Sequence, residues 1–191
     1  TAFAADLSKS SEIERLWASH PAPDILVNNA AAIPSGSIAD IDEKTWRESW
    51  ELKVFGYINM CREALAKMSA RGSGVIINVI GGGGEKPRPS YAAGAGGNGA
   101  LIALTRALGS TSGKQGVRVV GINPGLIHTE RLETLMRSNA DRKWGDAQRW
   151  KELLDPDYPP GEPDHIASMV AFLASDLSGN TTGTIVTIDR G

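Results

Sequence analysis

Among the residues whose types and spacing could do chemistry, two glycine-dense stretches come first. Gly81 to Gly84 directly follow the strand-like run Val75-Ile-Ile-Asn-Val-Ile80. In an open α/β sheet that position is the carboxyl edge, where ligands bind. A residue without a side chain at 81 lets a ligand approach the backbone, although the same glycines also suit a flexible turn. Gly94-Ala-Gly-Gly-Asn-Gly99 spells G-x-G-x-x-G. A dinucleotide fingerprint needs a strand immediately before it and an acidic residue about 20 positions beyond. Gly94 lies well past the run ending at Ile80, and Gly116 to Gly121 contains no acid. The expectation is instead a helix packed closely against a neighbour or ligand, weakened by about 1 kcal/mol per internal glycine relative to alanine.

Other chemistries find less support. His20, His128 and His165 lack metal-ligand spacing, so no metal site is expected. No G-x-S-x-G elbow occurs, which disfavours a hydrolase. Cys61 is the sole cysteine and rules out an internal disulfide or a multi-cysteine zinc site. A reducing, cytoplasmic setting follows as the simplest expectation. Lys plus Arg number 20 against 22 Asp plus Glu, a net charge of −2, so no electrostatic case exists for nucleic-acid or anionic-membrane partners. The longest apolar runs are far too short to span a bilayer. No basic and apolar leader opens the chain, so no signal peptide is expected, and the triplet Asn180-Thr-Thr182 reads as chance.

The elements that must position these residues alternate in type. Asp24-Ile-Leu-Val-Asn-Asn-Ala30, Val75–Ile80, Val117–Ile122 and Thr184–Ile188 are short, nearly continuous apolar runs, as a parallel sheet covered on both faces requires. Ala2 to Leu7 is a further candidate strand. Ser11 with Glu14 has capping-box spacing and opens a helix toward Ser19. Trp46, Trp50, Val54, Tyr57, Ile58, Cys61, Leu65 and Met68 give one long helix an apolar stripe, ended by Arg71-Gly-Ser-Gly74. Leu101, Leu104, Thr105 and Leu108 mark another helix; Ile166, Met169, Val170 and Leu173 mark a third, begun near Pro163. This alternation predicts one α/β domain over 1–191, a doubly wound, Rossmann-type parallel sheet. Leu126 to Pro160 reads as the least regular stretch, a substrate lid or a solvated loop, in which Trp144 and Trp150 line a pocket or anchor the lid. Trp46 and Trp50 are expected at a core or helix interface.

Several segments together resemble the short-chain dehydrogenase/reductase family. Asn28-Asn-Ala-Ala31 is similar to its Asn-Asn-Ala-Gly motif, and Asp6-Leu7 stands where the family has an Asp beside the adenine ring. Tyr91 opens a helix after the glycine loop, as the family's catalytic tyrosine does. Asn123-Pro-Gly-Leu-Ile-His-Thr129 resembles the segment that holds the nicotinamide amide. Gly161-Glu-Pro-Asp-His-Ile-Ala167, Phe172–Asp176 and Thr182–Asp189 resemble the C-terminal signature. The likeness covers essentially all 191 residues. It implies an NAD- or NADP-dependent oxidoreductase interconverting a small-molecule alcohol and a carbonyl. The implied nucleotide contacts are Asp6, Leu7, Asn28, Asn29, Ala30, Ala31, Tyr91, Pro124, Gly125, Ile127 and Thr129. It also implies a homodimer or homotetramer formed through the two long helices.

The family's catalytic set of Asn, Ser, Tyr and Lys is degenerate in this sequence. The four positions fall on Lys53, Gly81, Tyr91 and Ala95. A tyrosine can exchange a proton with a carbonyl oxygen, but its free pKa near 10 wants a neighbouring cation to lower it. Ala95 removes that help, and Gly81 offers only a backbone N–H in place of a hydroxyl. Lys53 is either a solvated lysine or a replacement cation, with Tyr91 and Lys53 as a rearranged acid–base pair. Asn98, about two helical turns past Tyr91, is a candidate further polar contact. His128 is expected to pack or lie exposed. The alternative reading is a catalytically inactive family member that binds nucleotide or a partner; a different reaction on the same scaffold is a third. The resemblance begins at the family's third β–α unit, so its first two β–α units are expected to be missing, leaving an unpaired sheet edge and poor folding of the 191 residues alone.

Overall fold

The computed structural model describes residues 2–191. The β-branched runs pair side by side as a parallel sheet in the order β1 (Ile25–Asn28), β2 (Gly74–Val79), β3 (Val117–Pro124) and β4 (Ile185–Ile188). Ile76 stands opposite Val119, and Ile77 opposite Val120. All four are fully buried, because helices cover both faces. On one face Ile13 and Trp17 of α1 (Ser10–Ser19) and Met60, Cys61, Ala64 and Met68 of α3 (Gly56–Arg71) pack against Ile76, Val117 and Val119. On the other, Ile166, Met169, Val170 and Leu173 of α6 (Pro163–Ala174) cover Val75, Ile77, Val120 and Ile122. Between these come α2 (Glu43–Trp50), α4 (Ala92–Ser112) and α5 (Glu130–Trp144).

A buried polar relay locks the carboxyl ends of the strands to α4. Asn28 Nδ2 donates to Asn78 Oδ1 at 2.9 Å, Asn78 Nδ2 donates to Thr105 Oγ1 at 2.9 Å, and Thr105 Oγ1 donates to Leu101 O. Each member is satisfied, which is the condition for a buried polar network to rigidify a core.

Four expectations need correction. Ala2–Leu7 forms no strand: Arg15 holds it on α1, donating to Ala4 O at 3.2 Å with its guanidinium 4.7 Å from the Phe3 ring. Among the described residues no strand pairs with the outer edge of β1, where Ile25 and Val27 are 44 % and 40 % exposed. Helix α1 starts at Ser10 rather than being opened by Ser11; its N-cap, Lys9, has no side-chain cap, so the spacing of Ser11 and Glu14 makes no capping box. The long stripe helix is two helices joined by a π turn, Glu51–Phe55. Finally, the stretch expected to be irregular carries α5, capped by Thr129 and ended by Gly145 at φ +68°, followed by a 3-10 segment, Ala147–Leu153. Leu132, Met136 and Ala140, at four-residue steps, bury with Trp150 in a separate small cluster. That stripe hides among the charged residues of 130–144. Trp150 and Trp144 therefore serve as anchors of this element, the latter flanked by Lys143 and Arg149.

Candidate functional site at the carboxyl edge of the sheet

Gly81, immediately beyond β2, is the point on which the polar side chains converge. Its φ of +129° strains any side chain, and a Cβ there would stand 3.0 Å from Asn98 Nδ2. From β3, the fully buried Asn123 accepts the Gly81 N–H through Oδ1 at 3.3 Å. From the π turn, Lys53 is only 5 % exposed and donates its ammonium to the carbonyl of Ile80. Burial, with the Arg131 guanidinium adding to it, lowers the Lys53 pKa to about 8. π turns inside helices are frequent at functional sites, and this one turns a lysine inward. From α4, Asn98 is 2 % exposed, and its Nδ2 lies 3.0 Å from where a Cβ on Gly81 would stand. Asn98 Oδ1 and Asn123 Nδ2 are buried without a partner among the described residues.

Tyr91 stands at the N-cap of α4, half-buried, its ring 3.3 Å from the Cβ position of Gly83. The same Gly83 position lies 3.6 Å from Asn98 Nδ2, so ring and carboxamide flank one niche. The backbone around Tyr91 is pinned to the Gly36 loop, where Gly36 N–H donates to Ser90 O and Ala92 N–H donates to Gly36 O. Trp50 Nε1 donates to Ala93 O at 3.0 Å. A Cβ on Gly97 would stand 3.0 Å from Val54 and 3.3 Å from Trp50. The G-x-G-x-x-G stretch thus lets α4 press onto the helix that carries Lys53, as close packing predicts.

The expected nucleotide residues fall into two groups. Pro124, Gly125, Ile127 and Thr129 follow β3 at the same edge; Pro124 O is 3.5 Å from the Cβ position of Gly82, and Gly125 N–H donates to Ile188 O. Ile127 bridges to Gly161, and the Thr129 hydroxyl caps α5. After β1, Asn29 and Ala30 are exposed and Ala31 O accepts from Arg131 at 3.0 Å, whereas the Asn28 amide is spent on Asn78. Asp6 and Leu7 lie apart from Gly81: Asp6 borders a shallow cleft of about 340 Å³ with Ser8, Ala32 and Pro34, and Leu7 O presses on Gly56. The Ser8 hydroxyl and N–H hold the Asp6 carboxyl below its ordinary pKa. His128 is exposed beside Glu162. Sequence reasoning missed Asn123 and Arg131; Asn123, directly before Pro-Gly at a strand end, carried a legible signal. Among the described residues no cluster of His, Cys, Asp or Glu could hold a metal ion, and no helix is long and apolar enough to cross a membrane.

A parallel sheet wound on both faces, with its polar groups gathered beyond the carboxyl ends of its strands, defines a Rossmann-type α/β protein. The chain belongs to the short-chain dehydrogenase/reductase family. The family model described as enoyl-(acyl carrier protein) reductase matches residues 1–191. Among curated proteins, 2-keto-3-deoxy-L-fuconate dehydrogenase of Xanthomonas campestris pv. campestris is 35 % identical over 190 residues, covering 97 % of this chain and 62 % of that protein. Among solved structures, levodione reductase superposes with a TM-score of 0.89 at 25 % identity, over 99 % of this chain and 75 % of that one. A short-chain dehydrogenase/reductase from Burkholderia xenovorans gives 0.84 at 29 % identity, over 100 % and 73 %. The chain spans about three-fifths of the length of the first curated relatives it matches.

Proposed function

We propose that this protein is an oxidoreductase that interconverts a small-molecule alcohol and a carbonyl, with Tyr91 as the acid–base residue. The observation that carries the reading is the gathering of Tyr91, Lys53, Asn98 and Asn123 around the side-chain-free backbone of Gly81–Gly83. NAD or NADP, when bound, supplies or accepts the hydride. The residues fit such a group: Asn29 and Ala30 lie exposed after β1, Asp6 and Ala32 border one cleft, and the buried Asn123 Nδ2 lacks a partner among the described residues. Pro124, Gly125, Ile127 and Thr129 would hold its nicotinamide end, and Asp6, Leu7 and Asn28 to Ala31 the remainder, Asn28 acting through its tie to Asn78.

In reduction, the Tyr91 phenol gives its proton to the carbonyl oxygen as the new C–H bond forms; in oxidation it takes the proton back. Lys53 replaces the cation absent at Ala95. Its ammonium is held at the carbonyl of Ile80, one residue from Gly81. Helix α5 serves as the lid over this edge, tied to the loop after β1 by Arg131. The single Rossmann-type domain pairs with a second copy through the apolar cleft of about 470 Å³ on α3 and α4, bordered by Ile58, Leu65, Leu104 and Leu108. The buried free thiol of Cys61 suits a reducing cytoplasm.

The test is titration with NADH and NADPH, followed by carbonyl reduction with the Tyr91→Phe and Lys53→Met variants. Tyr91→Phe should cost at least about a hundredfold in rate. Gly81 and Ala95 favour a second reading, nucleotide or partner binding without turnover. Affinity without Tyr91-dependent turnover over a broad panel would establish that reading instead.

A further inference from the structure

We infer that the Asn98 carboxamide is the hydrogen-bond donor to the substrate's carbonyl oxygen, supplied from α4 because residue 81 has no side chain. The inference rests on the oxidoreductase reading above. A carbonyl that gains a hydride develops negative charge on oxygen, and a preorganised donor beside that oxygen stabilises it. At 81 the chain offers no hydroxyl. Instead, the Nδ2 of Asn98 comes within 3.0 Å of the Cβ position of Gly81 and 3.6 Å of that of Gly83. The ring of Tyr91 flanks Gly83 from 3.3 Å. The tyrosine ring and the carboxamide therefore flank one niche.

The state of the amide points the same way. Asn98 is 98 % buried, and neither of its polar atoms makes a hydrogen bond within the described residues; Oδ1 is fully enclosed. A structural asparagine at this depth resembles Asn78, which bonds Asn28, Thr105 and Cys61. Nδ2 makes no hydrogen bond among the described residues and is left to an acceptor that arrives with the substrate, whereas the enclosed Oδ1, itself an acceptor, gains nothing from a carbonyl oxygen. A side chain at 81 would displace the amide, so the two positions hold one donor between them.

The experiment compares the full chain with Asn98→Ala and the isosteric Asn98→Asp, using phenanthrenequinone as the carbonyl probe with NADH and NADPH. Three readouts are taken: steady-state reduction, the infrared carbonyl stretch of the bound quinone, and thermal stability. The expected result is a fall in kcat of about a hundredfold in both variants, loss of the hydrogen-bonded downshift of the carbonyl band, and an undiminished melting temperature for Asn98→Ala. Asn98→Ala combined with Gly81→Ser should recover part of the rate. Quinone reduction at the parent rate, or a carbonyl band unchanged by either substitution, overturns the assignment. A melting temperature lowered in both variants with the band unchanged makes Asn98 structural and overturns it too. If Tyr91→Phe abolishes turnover while Asn98→Ala and Asn98→Asp do not, only the donor assignment fails. A parent chain that turns over no carbonyl removes both it and the oxidoreductase reading.

Discussion

Asn98 and Gly81, seventeen positions apart, occupy one space: the carboxamide of the first stands 3.0 Å from the absent Cβ of the second. The backbone at 81 adds a φ of +129°, which L side chains rarely adopt. Gly81→Ala should therefore cost about 1–3 kcal/mol from backbone strain alone. Urea denaturation of the parent and variant measures this. An unchanged midpoint would show that the loop relaxes freely.

Lys53 should trade stability for charge placement. Its pKa falls from 10.5 to about 8 on burial, a difference equivalent to about 3 kcal/mol against the charged form. Because the folded pKa is the lower one, the unfolded chain binds more protons between pH 8 and 10.5, and stability rises with pH across that window. Lys53→Met should thus be more stable than the parent at pH 7, by up to about 3 kcal/mol less the lost bond to Ile80 O, with the gap closing as pH approaches 10.5. Reduction rates of the parent should fall above pH 8, and Lys53→Met should lack that ionisation. Denaturation curves and a pH–rate profile check both arms.

Arg131 reaches from the first turn of α5 to Ala31 O and Ile33 O, both at 3.0 Å. Each such bond from a charged donor is worth about 1.5–3 kcal/mol. Arg131→Ala should loosen the lid, seen as faster amide exchange over residues 130–144 and a raised KM with a smaller change in kcat. Removing this cation also releases part of the depression on Lys53, so the alkaline limb of the pH profile should move upward.

Gly109 admits no side chain. A Cβ there would collide with the backbone of Gly183 and stand 2.7 Å from Val119 O. These are backbone atoms of β3 and of the approach to β4, with no rotamer to move aside. Gly109→Ala should destabilise by about 3 kcal/mol or more, the upper range for overpacking. Near-parental stability would mean that the turn before β4 shifts without cost.

The free edge of β1 exposes Ile25 and Val27. Open apolar edges template pairing between chains, and an edge lysine suppresses it. The 191-residue chain should aggregate on heating, and Val27→Lys should lower its light scattering without altering the far-UV circular dichroism. Equal scattering from the parent and Val27→Lys would contradict this.

The sequence by itself determined the sheet and its coverings. Period and composition sufficed because β2 and β3 are largely buried on both faces, so Val75–Val79 and Val117–Ile122 had to be nearly continuous apolar runs. Pro163 and Gly72 marked helix ends through local backbone rules that need no tertiary contact. Family motifs pointed to Tyr91, Gly81 and Lys53 by spacing. Tertiary structure decided the rest. Ala2–Leu7 has the composition of a strand, but a strand exists only with a partner, and Arg15 holds this segment on α1 instead. The π turn that aims Lys53 inward packs through Val54 against Gly97 of α4, a contact between residues over forty positions apart. Most of all, only the packing of α4 against the end of β2 brings Asn98 into the space that Gly81 leaves empty. Such long-range juxtapositions leave no local pattern, because they are set by how elements meet rather than by the chain within any one of them.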